Sequence, residues 1–146
     1  MKRSAVPDLP HLRVYLDSNI LISASLNERS GFLEFWQLPN ITVVTSHYAI
    51  GEVTRNLFSS GDKKRFEELL TRSEIISDGD VQFIPSHIRL ATKDAPILAA
   101  AIFGSVDYLA TGDKNHFKHL YSTSVSGVYI ISPADFLALH RDRLIE

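Results

Sequence analysis

Apolar and polar positions along this chain fall into short blocks, and the blocks predict alternating strands and helices. Residues 14–16 (Val14, Tyr15, Leu16) form an unbroken apolar run of β-formers, the pattern of a parallel strand buried on both faces. Asp17 follows, and Ser18 and Asn19 can cap a helix that runs from Ile20 to about Ser25. Residues 27–31 are polar and read as a loop. Phe32, Leu33, Phe35 and Trp36 then recur at helical spacing until Pro39-Asn40 stops the segment. Residues 41–45 (ITVVT) are a second β-branched run, and Ser46 can cap a helix reaching about Leu57. Gly61-Asp62 opens an amphipathic helix with Phe66, Leu69 and Leu70 on one face. Residues 77–80 read as a turn, 81–84 as a short strand, and Pro85 onward as a short helix. Asp94 and Pro96 introduce the apolar helix ILAAAIF, which Gly104 ends. Residues 106–110 (VDYLA) predict a strand, 115–120 a short helix and 125–131 the last strand. Ser132, Pro133 and Asp135 carry the signature of a final helix start. This alternation predicts an α/β fold, a three-layer sandwich with a central parallel sheet and helices on both faces.

A chain of 146 residues suits a single domain over residues 1–146, with residues 1–11, which hold two prolines, as an irregular lead-in. At 45% hydrophobic and 22% charged residues, the composition excludes a disordered chain. With no cysteine, disulfides and thiolate metal sites are excluded. The start MKRSAVPDLP lacks the apolar run of a signal peptide, and no stretch approaches the roughly 18 apolar residues of a membrane span. A cytoplasmic protein with no membrane contact is expected. A net charge of −2 gives no global field for nucleic acid, so any such contact must come from local basic patches.

Candidate chemistry lies in the acids at the ends of the predicted elements. Asp17 ends the first strand, Asp113 follows VDYLA, Asp94 precedes the apolar helix, and Glu52 lies in the helix after the second strand. Each has a plain structural role open to it. Asp94 is a good N-cap, Thr-Gly-Asp is an ordinary turn, and Glu52 can pair with Arg55 or face water. The functional reading depends on their meeting. In open α/β sheets, ligand chemistry collects outside the carboxyl ends of strands, at the point where the strand order switches. If the strands ending in Asp17 and preceding Asp113 are neighbours there, both carboxylates enter one crevice, and Asp94 points to the same end of the sheet.

Two carboxylates about 5 Å apart at an effective dielectric near 20 repel by about 3 kcal/mol. Such a cluster either protonates or binds a cation, and no lysine or arginine directly adjoins Asp17. Oxygen ligands favour Mg²⁺ or Mn²⁺ over Zn²⁺. An ion of that kind suits phosphodiester hydrolysis without a serine, cysteine or histidine nucleophile.

The segments LDSN at Asp17, SHYAIGEVTRNL at Glu52, KDAPILAAA at Asp94 and DYLATGDKNHF at Asp113 together resemble the PIN-domain family. The resemblance covers roughly residues 13–137 and includes the closing ISPADFL. It implies a Mg²⁺- or Mn²⁺-dependent ribonuclease acting on RNA, of the kind found as VapC-type toxins of toxin–antitoxin pairs. It also implies catalytic carboxylates Asp17, Glu52, Asp94 and Asp113, with Asp17, Asp94 and Asp113 as metal ligands and Asn19, Ser46 and Thr111 as supporting polar groups. A homodimer and an antitoxin partner, seated on the early helices, follow from the same resemblance. The alternative within the fold is a catalytically silent RNA-binding or assembly module. A haloacid-dehalogenase-type phosphatase fits less well, because Asn19 stands where that family has its second aspartate.

The remaining polar residues carry weaker signals. Asp107, inside VDYLA, reads as a strand-edge residue facing away from the crevice. His116 and His119 stand three apart, a spacing that can bind metal. Without cysteine or a third histidine nearby, His116 reads instead as an RNA-phosphate contact beside Lys114 and Lys118. The run Lys63-Lys64-Arg65 reads as a solvated helix face, and Phe32, Phe35 and Trp36 as core.

Overall fold

A computed structural model describes residues 10–141. Most of the expected lead-in, residues 1–9, lies outside the described residues. The chain runs β1 (Leu12–Leu16), α1 (Ser18–Leu26), β2 (Ile41–Ser46), α2 (His47–Thr54), α3 (Ser60–Thr71), β3 (Glu74–Ile76), α4 (Ala95–Phe103), β4 (Tyr108–Ala110), α5 (Lys114–Phe117), β5 (Thr123–Val125), β6 (Val128–Ile131) and α6 (Pro133–His140). The strand order is β3-β2-β1-β4-β6-β5, parallel throughout except for the β5–β6 pair. β1 lies between β2 and β4, so the order reverses beside it, and the crevice of the fold opens at its carboxyl end.

Successive residues of a strand face opposite sides of the sheet, and the core divides accordingly. Val14, Leu16, Val43, Ala110 and Ile131 face one layer, where Ile20 and Leu21 of α1, Phe66 of α3 and Phe136 and Leu137 of α6 cover them. Tyr15, Val44, Leu109 and Ile130 face the other, under Ala49 of α2, Ile97, Leu98 and Ala101 of α4 and Phe117 of α5. Helix α4 is apolar on nearly every side because the sheet and an irregular chain both cover it. Ile84, Ile88 and Leu90 of residues 84–93 pack half-buried against the same cluster. Burying each large side chain fully contributes about 2–3 kcal/mol, which makes these layers the main support of the crevice.

The structure departs from the pattern at several places. Residues 81–84 form no strand. Asp80 Oδ1 accepts from Gln82 N (2.9 Å), and this local bond turns Val81–Phe83 into a single 3₁₀ turn with Val81 and Phe83 exposed. After Pro85 there are two turns, closed by Ile88 N to Pro85 O and Asp94 N to Ala91 O, and no helix before α4. Residues 31–36 are 3₁₀ rather than α-helical, with Phe35 buried and Phe32 and Trp36 packed half-buried against the core. The expected last strand is a hairpin, β5 and β6, joined through Ser126 (φ 50°) and Gly127 (φ 88°). Two successive positive φ angles make a hairpin turn whose twist matches the strands. β3 was not expected. Its Glu74 receives both Nε (2.9 Å) and Nη2 (2.8 Å) of Arg13, an ion pair that fixes this short edge strand to β1. Asp17, not Ser18 or Asn19, is the N-cap of α1.

Candidate metal centre

Asp17 is the residue after β1, in extended conformation (φ −63°, ψ 155°), and begins α1. Its N–H donates to Ala110 O (3.0 Å), while Thr111 N donates to Ile131 O (3.1 Å). These bonds carry the sheet ladder one step past β1 and β4 and set Asp17 beside Thr111. Asp17 is 6% exposed, with Oδ1 accepting from Ser18 N (2.7 Å) and Oδ2 from Thr111 Oγ1 (2.7 Å). Burial pushes its pKa up to about 6, and the charges of Glu52 and Asp94 add to the rise, against the bonds from Thr111 and Ser18.

Asp113 hangs from the same threonine. Its N–H donates to Thr111 Oγ1 (3.1 Å), so one hydroxyl joins the turn after β4 to the carboxylate after β1. The side chain of Asp113 makes no capping bond to α5, although it stands at the N-cap position. Asn19, exposed, stands beside this turn, with its Nδ2 3.7 Å from where a Cβ on Gly112 would stand.

Asp94 occupies the N-cap position of α4, but its αR backbone (φ −96°, ψ −20°) turns the carboxylate away from the helix N–H groups. It is 7% exposed, and its Oδ2 is buried without a hydrogen bond. His116 Nδ1 lies 3.1 Å from it, with its own bond closing on Asp113 Oδ2 at 2.7 Å. Burial raises the Asp94 pKa and the charge of Asp113 raises it further, while His116 opposes. One donor atom each from Asp94, Asp113 and His116 lies within 4.8 Å of the others.

Glu52, half-buried on α2, accepts from Ser18 Oγ (2.9 Å), and the same hydroxyl lies 3.4 Å from Asp17 Oδ1. Ser18 therefore joins two carboxylates, its N–H donating to Asp17 and its hydroxyl proton to Glu52, a role hidden in the sequence because the residue reads as a cap. Tyr48 reaches Lys93 O (2.9 Å) and feels the charges of Glu52 and Asp94, whereas Tyr121 reaches Thr111 O (2.5 Å) and feels those of Asp113 and Asp17. Both phenols have raised pKa values, through burial first. They flank the carboxylates, and no spacing in the sequence pointed to either.

The other candidate residues lie as follows. Ser46 caps α2 and bonds to the Tyr15 hydroxyl (2.6 Å), without touching a carboxylate. Lys114 and Lys118 are exposed on and after α5. His116 is turned inward to the carboxylates rather than outward with those lysines. His119 leaves the site altogether and bonds to Arg89 O (2.7 Å). Asp107 is at the opposite end of β4, where its Oδ2 accepts from Arg13 N (2.8 Å).

Among the described residues, the carboxylates of the crevice thus have no lysine or arginine as bonded partners, and the buried Asp94 Oδ2 has no donor. A divalent cation supplies what such a donor set lacks. Asp94, Asp113 and His116 could hold one directly, with Asp17 alongside through Thr111.

No family model and no curated protein matches the chain. Among the described residues no helix is long and apolar enough to cross a membrane. A solved structure does share the fold: a chain in the crystal structure of VapBC2 from Rickettsia felis bound to a DNA fragment from their promoter. It aligns with a TM-score of 0.61 at 16% identity, over 83% of this chain and 98% of that one. At that identity the likeness establishes a common fold, which is the three-layer sandwich that the PIN resemblance implied.

Proposed function

We propose that this protein is a metal-dependent endoribonuclease that hydrolyses RNA phosphodiester bonds at Asp17, Glu52, Asp94 and Asp113. The observation that supports this reading best is the bonding of acids distant in sequence into one network at the carboxyl end of β1. Thr111 connects Asp17 to Asp113, Ser18 connects Asp17 to Glu52, and His116 lies between Asp94 and Asp113. Asp17, Asp94 and Asp113 would hold Mg²⁺ or Mn²⁺, for which the orphaned Asp94 Oδ2 and the oxygen-rich donor set are suited. Such an ion lowers the pKa of an attacking water and stabilises the leaving oxygen. The chain's own groups do the rest. Thr111 and Ser18 fix the carboxylate rotamers, and Lys114 and Lys118 offer charge to the RNA backbone beside the site.

The proposal extends to a toxin that works in the cytoplasm as a homodimer; the shared fold with a chain of the VapBC2 complex supports an antitoxin partner for it. The test is cleavage of RNA by purified protein with EDTA, Mg²⁺ or Mn²⁺. Cleavage should need the metal and be lost in Asp17→Asn and Asp113→Asn, both still folded by circular dichroism. Equal cleavage by both variants, or none by wild type with either metal, would refute the proposal.

A further inference from the structure

We propose that His116 is a nitrogen ligand of the bound cation, and that it gives the centre a preference for Mn²⁺ over Mg²⁺. The inference rests on the metal-site reading above and specifies the chemistry of that site. His116 is held by α5 so that Nδ1, not the outer ring nitrogen, meets both carboxylates, at 2.7 Å from Asp113 Oδ2 and 3.1 Å from Asp94 Oδ2. Asp113 and His116 are one helical turn apart, the spacing that sets two side chains on one face. Asp94 comes from a different element, so the three donors approach from two sides of one point.

A single proton on Nδ1 can satisfy one carboxylate, and it is directed at Asp113. Asp94 Oδ2, more than nine-tenths buried, is left with no donor. A cation standing where that proton stands would engage Nδ1 and both oxygens together. In that state the imidazole ligates through the Nδ1 lone pair and carries its proton on Nε2, the nitrogen turned away from the carboxylates. His119, one turn further on, cannot join because its ring is bonded to Arg89 O.

A mixed nitrogen and oxygen set discriminates between ions. Mg²⁺ demands a near-ideal oxygen octahedron and keeps much of its water, whereas Mn²⁺, a transition-metal ion, takes carboxylates and accepts a nitrogen beside them. An imidazole added to the carboxylates should therefore favour Mn²⁺ over Mg²⁺.

The experiment is Mn²⁺ binding to metal-stripped full-length protein, followed by electron paramagnetic resonance, with Mg²⁺ as competitor. Wild type should bind Mn²⁺ saturably and show ¹⁴N modulation from a directly bound imidazole in pulsed spectra. His116→Ala should lose that modulation and bind Mn²⁺ on the order of tenfold more weakly. Its Mg²⁺ affinity should change much less. Saturable Mn²⁺ binding by wild type without ¹⁴N modulation would overturn the role of His116 and leave the carboxylate site standing. No saturable binding would overturn both. The wild-type spectrum alone decides the ligand question if His116→Ala fails to fold.

Discussion

Replacing Asp17 by asparagine should stabilise the metal-free protein at neutral pH while removing its response to metal. Asp17 is 6% exposed, and its pKa rises from 3.8 to about 6 on folding. At about 1.4 kcal/mol per pH unit, the ionisation of Asp17 makes folding about 3 kcal/mol less favourable above that range than below it. The pH dependence has a definite sign. Below 3.8 both folded and unfolded chains hold the proton; between 3.8 and about 6 the native state holds it and the unfolded chain does not. This contribution to stability therefore falls as pH rises through that window, and the loss is complete above it. Asparagine is neutral at every pH. Its oxygen can still accept from Ser18 N, while its amide must turn toward Thr111 Oγ1, which has to reorient. That weaker bond returns about 1 kcal/mol. The net gain at pH 7.5 in EDTA is about 1–2 kcal/mol, a rise of about 3–8 °C in the unfolding midpoint. Chemical and thermal unfolding of both proteins in EDTA at pH 7.5 and pH 4 measures it. The gain should shrink or vanish at pH 4, and with Mn²⁺ at pH 7.5 only wild type should rise. An Asp17→Asn protein less stable than wild type at pH 7.5 without metal, or a gain unchanged at pH 4, would refute the reasoning.

Thr111→Val removes the hydroxyl that donates to Asp17 and accepts from Asp113 N. It should cost about 1–3 kcal/mol in urea unfolding and weaken Mn²⁺ binding in calorimetry, with Thr111→Ser restoring both; a neutral Thr111→Val would contradict this. Ser18→Ala frees Glu52 from its bond near Asp17 and should lower RNA cleavage while changing stability by about 1 kcal/mol or less. Unchanged cleavage would mean that this link does not serve the site. A Cβ at Gly79 would stand 2.2 Å from Ala99 O, a backbone atom of α4, so Gly79→Ala should destabilise by about 2 kcal/mol or more. A midpoint within 1 °C of wild type would show that the chain before α4 yields freely.

The sheet was legible because its central strands are buried on both faces. Val14-Tyr15-Leu16 and ITVVT are runs that no amphipathic surface element would carry, and the helices between them fix the parallel direction. The edges were not legible. β3 is three residues long and is placed by its parallel ladder with β2, with the Arg13–Glu74 pair beside it, neither of which a local pattern announces. Ser126-Gly127 is a turn signal hidden inside an apolar run that reads as one strand. At the site, Asp17, Asp94 and Asp113 stand out by their positions at element ends, since those positions follow from the strand–helix rhythm; Glu52, inside α2, has no such mark. The network between them could not. Ser18 looks like a helix cap until Asp17 takes that place, and His116 looks like a surface residue among lysines until α5 turns it inward. Each depends on a backbone direction that only the assembled chain sets.

The central claim is that Asp17, Asp94 and Asp113 surround one divalent cation. Anomalous diffraction from crystals grown with Mn²⁺ tests it most directly. A strong manganese peak should stand between these side chains and be absent when Asp113→Asn is crystallised the same way. A saturated crystal with no peak there, or with its manganese elsewhere on the surface, would contradict it.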